Sequence, residues 1–252
     1  MRDCHRLCFG VGQMAVVFAA IFAVPVCAQD DSVPVERFLL EGRLADGARE
    51  MQDLIDADPE DQQARFSLGI VQFLQAIEGL GQDQYRYGLL AGRARSIPMM
   101  RLPISENTEP EEISYDKARA LVQAFIDRLA LAEESLSAVE VETVRLPVKL
   151  GAIRLDLNDD GEVPDEETMW HITQSLQNPR RPAKATPPKE FPIVFDAGDV
   201  VWLRGYCHAL IAVGELFWLM TGRISLNGRL ISFIRRLTPR MSFLLSKALA
   251  CL

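Results

Sequence analysis

The chain has 252 residues, 48% of them hydrophobic and 25% charged, with 27 Lys plus Arg against 35 Asp plus Glu for a formal charge of −8. These are the proportions of a globular protein, and they exclude a wholly disordered chain and a polytopic membrane protein. The acidic balance also excludes a general nucleic-acid binder, which needs a basic face to displace counterions from phosphates.

The chain opens with Arg2 and Arg6, then an apolar run from Met14 to Val26 that ends in Val26-Cys27-Ala28 and turns polar at Gln29. The run is too short for a bilayer helix and suits a secretory signal, with an uncleaved anchor as the alternative. Residues 1–28 are therefore expected to be a signal peptide, and the protein to be exported, periplasmic or secreted. The remaining chain carries 25 basic and 34 acidic residues, a net charge of −9, and keeps only Cys207 and Cys251. Two cysteines do not make a disulfide framework, although one bridge fits an oxidising compartment. His171 and His208 lie far apart and form no metal-ligand pair.

Residues 29–145 read as a helical region. Leu40, Leu44, Met51, Leu54 and Ile55 make one apolar stripe, and Phe66, Leu68, Ile70, Val71, Leu74, Ile77 and Leu80 make a second. Asp58-Pro59-Glu60-Asp61 stops one helix and starts the next, so an antiparallel hairpin is predicted. The run from Ala57 to Gly69 resembles the join between tetratricopeptide repeats, at one junction without a second copy. Such a hairpin makes a protein partner the natural alternative to plain core. Residues 81–111, rich in Gly, Arg, Pro and Glu, read as an irregular connection. A helix is expected over 114–138, burying Ala118, Leu121, Val122, Phe125, Ile126, Leu129 and Leu131. From Val139 to Leu155 the apolar residues alternate around Pro147, which predicts extended chain or a short strand.

Asp156-Leu157-Asn158-Asp159-Asp160-Gly161-Glu162-Val163-Pro164-Asp165-Glu166-Glu167 is the segment that carries chemistry. Alternate oxygen-bearing side chains at Asp156, Asn158 and Asp160 can converge on one point, and Gly161 allows the sharp turn that follows. Seven of its twelve residues are acidic and none is basic, a density that repels itself without a cation. The segment resembles the EF-hand calcium loop. That resemblance implies Ca2+ as the cofactor, held by Asp156, Asn158, Asp160, the Glu162 carbonyl and a bidentate Glu167, with Val163 anchoring the loop to the core. Pro164 stands where a side chain or its water commonly completes the shell. The helix leaving the loop is expected over Asp165 to Leu176, and the segment entering it is short helix or extended chain. The absence of a second such loop points to a structural site and away from a sensor. Ionised ligands imply that the stabilisation by calcium fades through the ordinary carboxylate range, about pH 4–5.

Residues 178–195 read as a Pro-rich basic linker. A helix over 196–220 is apolar on nearly all sides; a membrane span is its alternative, but Arg204, His208 and Glu215 favour a buried core helix. Cys207 and His208 are helix neighbours, pointing about 100° apart, a poor thiol–base pair. Residues 221–252 form a basic apolar tail: past Glu215 there is no carboxylate and six cationic side chains, from Arg223 to Lys247. It suits a membrane surface, the acidic body of the protein, or a reading-frame artefact whose sequence was never selected to pack. No catalytic motif is present. The fold class expected is mainly α, with helical hairpins, one EF-hand-like loop and exiting helix, and a buried C-terminal helix. The function expected is calcium binding by an exported protein; the alternative is an exported helical scaffold to which calcium is incidental.

Overall fold

The computed structural model describes residues 34–89, 101–140, 144–177 and 190–223. The expected signal peptide, residues 178–189 of the linker, and the tail from residue 224, Cys251 included, lie outside them. Within them the chain is mainly helical, with one two-stranded antiparallel sheet.

Helices α1 (Pro34–Glu41) and α2 (Leu44–Ala57) replace the single helix expected before Asp58. The break is at Gly42, where φ is +70°, and the Arg43 N–H donates back to the Phe38 carbonyl at 2.9 Å. A β-carbon at Gly42 would stand 2.7 Å from Val163 Cγ1, so this turn presses directly on the acidic loop. Gly42→Ala is expected to destabilise the protein by about 1–2 kcal/mol from the left-handed backbone alone. Displacement of Val163 adds to that figure, and the urea midpoint measures the sum.

Helix α3 (Gln62–Arg86) starts after the turn at Asp58–Asp61, with Asp61 accepting from the Ala64 N–H at 2.8 Å. The restart thus belongs to Asp61, a standard N-cap, while Pro59 sits in the turn ahead of it. Helix α3 also runs through residues 81–86, in place of the irregular connection that their composition predicts. Helix α4 (Tyr115–Ser137) begins at Ser114, whose hydroxyl accepts from the Lys117 N–H at 3.2 Å. The core sits between α2, α3, α4 and α6, built on Met51, Phe66, Val71, Leu74, Leu129 and Leu136 among others. Leu54 and Leu131, expected in the stripes, are 37% and 50% exposed. Each falls at the edge of its stripe, where helical spacing is a weak guide.

Strand β1 (Leu146–Lys149) pairs antiparallel with β2 (Pro192–Phe195), Leu146 opposite Phe195 and Lys149 opposite Pro192. Val144, Leu146 and Val148 are buried while Arg145 and Pro147 are exposed, the two-residue period read from the sequence. Strand β2 corrects the linker assignment for residues 192–195. Its four residues are too few to stand out behind a run of prolines.

Helix α5 is Met169–Gln177, four residues later than the start expected at Asp165. In between, Asp165–Glu167 forms a 3-10 turn and Thr168 is extended, its backbone bridging to Arg154. Helix α6 (Ala197–Arg223) packs on α4 through one face only: Val200, Cys207, Leu210 and Gly214 are buried, spaced as successive helical turns require. The Arg204 guanidinium donates to Glu133 at 3.0 Å, and Arg119 stacks 3.6 Å over the Trp218 ring. The opposite face is open, with Val201 60% and Leu219 58% exposed. The expectation of a fully buried helix is therefore corrected to a one-sided one. Its stretch Ala197–Leu219 has a mean hydropathy of 1.3 and is long enough to cross a membrane.

Candidate metal centre

The acidic loop is gripped from both ends. Chain enters it through β1, a 3-10 turn at Leu150–Ala152 and an extended Arg154, in place of a helix. The Met169 N–H donates to the Ile153 carbonyl at 2.8 Å and the Leu155 N–H to the Glu167 carbonyl at 3.1 Å. The Arg154 guanidinium crosses the neck, donating to the Val163 carbonyl at 2.5 Å and to Asp165 at 2.7 Å. Leu155 and Leu157 are fully buried, and Leu157 lies where a β-carbon on Gly81 of α3 would approach to 2.7 Å. The loop ends are thereby fixed to α3, to each other, and through Val163 to the α1–α2 turn.

Inside the loop, Asp156 accepts from the backbone N–H groups of Asp159 at 2.7 Å and Gly161 at 3.0 Å. Asn158 Oδ1 accepts from the Asp160 N–H at 3.1 Å, and Asp160 from the Glu162 N–H at 2.8 Å. The Asn158 amide also donates to Asp160 at 2.7 Å. These are the Asx turns that such side chains form, and they wind residues 156–162 into a tight coil. Gly161 has φ +79°, the left-handed conformation its position requires, and Asp159 joins it at +62°. Glu162 is exposed. Among the described residues no group of three Asp, Glu, His or Cys side chains is arranged as it stands to hold a metal ion. The three carboxylates among the five expected ligands, Asp156, Asp160 and Glu167, accept from backbone N–H groups of the loop, and the other two ligands are an amide and a carbonyl.

Glu167 is the outlier. It is only 5% exposed, and its Oε2 is buried with no hydrogen-bond partner. Burial first, then the Asp156 and Asp160 carboxylates, push its carboxyl up to about 8, against a partial offset from the Leu157 N–H. The 3-10 turn, which closes with the Glu167 N–H donating to Pro164 at 3.1 Å, is what folds this side chain inward. Exposed Glu166, one residue earlier, points elsewhere.

Two residues that the motif did not single out complete the site. Glu78 Oε1 accepts from the Asp156 N–H at 3.0 Å, and Gln82 Nε2 donates to the Asp156 carbonyl at 3.0 Å. Both come from one turn of α3, four residues apart, so they share a face. Burial, partly offset by the Asp156 N–H and reinforced by the Asp156 and Asp159 charges, raises Glu78 to about 7. The available signal was its register: residues 71, 74, 78 and 81 form one stripe, and a carboxylate among Val71, Leu74 and Gly81 is out of keeping with it.

Elsewhere, burial and the nearby Glu133 push the Cys207 thiol up to about 12, while His208 is turned outward, 3.4 Å from Glu133. A thiol held so high is not a nucleophile at neutral pH. No protein-family model, curated protein or solved structure matches this chain.

Proposed function

We propose that the chain binds one calcium ion in the 156–167 loop, through Asp156, Asn158, Asp160, the Glu162 carbonyl and Glu167, as a structural staple. The observation that carries this reading is the Glu167 side chain. A carboxylate with a buried, unpartnered oxygen beside two further carboxylates is a costly arrangement in water's absence. A divalent cation removes the cost by accepting the orphan oxygen and neutralising its neighbours. Oxygen donors from carboxylates, an amide and a carbonyl are the donor set of a hard cation, with calcium favoured over magnesium by the flexible coordination a loop supplies. The signal-like N-terminus adds an exported compartment, where calcium is steady and a staple is of more use than a sensor.

Isothermal titration of the purified protein is expected to give one calcium per chain, with a dissociation constant on the order of 10⁻⁴ to 10⁻³ M. Exposed Glu166→Gln should leave that constant within about twofold, because it removes charge without removing a ligand. Absence of saturable binding refutes the reading. Equal weakening by Glu166→Gln and Asp156→Asn does so too, since it reports diffuse charge in place of coordination.

A further inference from the structure

A second feature uses none of the loop's ligands. Helices α3, α5 and α6 do not close on one another: they leave between them an apolar cavity of about 160 Å³ that opens in part to solvent. Its walls include Ile70, Phe73 and Ile77 of α3, Leu176 of α5, and Trp202 and Leu203 of α6. Five of these six large apolar side chains face one another across the molecule yet keep partial exposure, because the space between them is not filled. A wall atom with no partner across a void forfeits its dispersion contacts, and apolar surface there stays available to an occupant.

We infer that this cavity is a binding site for a small neutral hydrocarbon, aryl or alkyl, about six to eight carbons long. Volume sets the size: an engineered cavity of about 150 Å³ lined by Leu, Ile and Phe stays dry and takes up benzene. The lining sets the chemistry. Among the described residues that line it, Asp199 is the one charged, and its carboxylate already accepts from the Asp196 N–H at 2.8 Å. The Thr173 hydroxyl at the same wall donates to the Trp170 carbonyl at 2.9 Å. With these polar groups engaged by the backbone, a ligand is held by shape and apolar contact. Trp202, stacked on Tyr206 at 5.2 Å, gives the site a built-in fluorophore.

The test is a thermal melt of the full chain with millimolar toluene, in the presence of a calcium chelator so that the loop plays no part. At ten times the dissociation constant toluene should raise the melting temperature by about 3–6 °C, saturably, with a matching change in Trp fluorescence. Ile77→Phe fills the space and should abolish the shift; Ile77→Ala enlarges it and should extend the shift to butylbenzene. Leu219→Lys, on the open face of α6, should leave toluene binding intact. No saturable shift with the unaltered protein overturns the inference whatever the variants do. An undiminished shift in Ile77→Phe, or its loss in Leu219→Lys, overturns it as well, because the hydrocarbon is then on the surface.

Discussion

Glu167→Gln is expected to raise the melting temperature of the calcium-free protein at pH 8 and to abolish the further rise that calcium brings. The two effects have opposite signs because they come from one carboxylate. Held at about 8 where an ordinary glutamate titrates near 4.5, the Glu167 carboxyl makes ionisation of the folded protein unfavourable. At pH 8 and above that penalty is on the order of 3–5 kcal/mol. A glutamine carries no charge, keeps an oxygen for the Leu157 N–H, and offers an amide that can donate to Asp156 or Asp160. Recovering about half of the penalty corresponds to a gain of roughly 4–8 °C for a domain of this size. In the unaltered protein, calcium at ten times its dissociation constant should add about 1.4 kcal/mol, or roughly 3–6 °C; in the variant it should add nothing. Calorimetric melts with chelator and with calcium check both. A variant that melts lower than the parent in chelator shows that the Glu167 charge is favourable in the free protein, which contradicts a calcium site built on a buried, unpartnered Glu167 oxygen.

The second large effect is the pH dependence. Glu167 at about 8 and Glu78 at about 7 both hold protons in the folded state that the unfolded chain gives up near 4.5. Between these values the folded protein binds more protons than the unfolded one, so stability falls as pH rises. The calcium-free protein should therefore be more stable near pH 5 than near pH 8, through these two groups. Calcium competes with those protons. Its binding at pH 7 should release one or more protons per ion, and its affinity should drop roughly tenfold per pH unit below 7 for each proton displaced. The ligand types alone imply that calcium's effect fades around pH 4–5; burial of Glu167 moves that window up to about 7–8. Titrations in buffers of different ionisation enthalpy measure the proton count directly. An affinity that stays flat between pH 6 and 8 with no proton release removes the role assigned to Glu167.

The helices were legible where apolar spacing was dense. The second stripe, from Phe66 to Leu80, lies on the buried side of α3 at nearly every position, and Ser114 caps α4 at the residue expected to open it. What the sequence concealed depends on contacts between distant segments. A strand of four residues after a proline run has no pattern of its own, and β2 exists because β1 is there to pair with it. The open face of α6 was hidden for the opposite reason: a helix apolar all round looks buried whichever side is covered. In the loop, the motif placed the oxygen donors, but neither the depth of Glu167 nor the pairing with Glu78 can be read from twelve residues. The depth comes from the local 3-10 turn, and the pairing from α3, 78 positions away in sequence.

That pairing has a consequence for how far the loop can be treated as a module. The first acidic residue, Asp156, is held at its backbone N–H by Glu78 and at its carbonyl by Gln82. A peptide copied from residues 150–177 would keep each donor oxygen and lose the clamp that sets the coil's starting direction, so its entropy of closure falls on the ion alone. Transplanted into another scaffold, the same twelve residues would need a host helix presenting an acid and an amide one turn apart. The unit that can be moved is the loop together with a turn of α3, two stretches of chain that meet only in the folded protein.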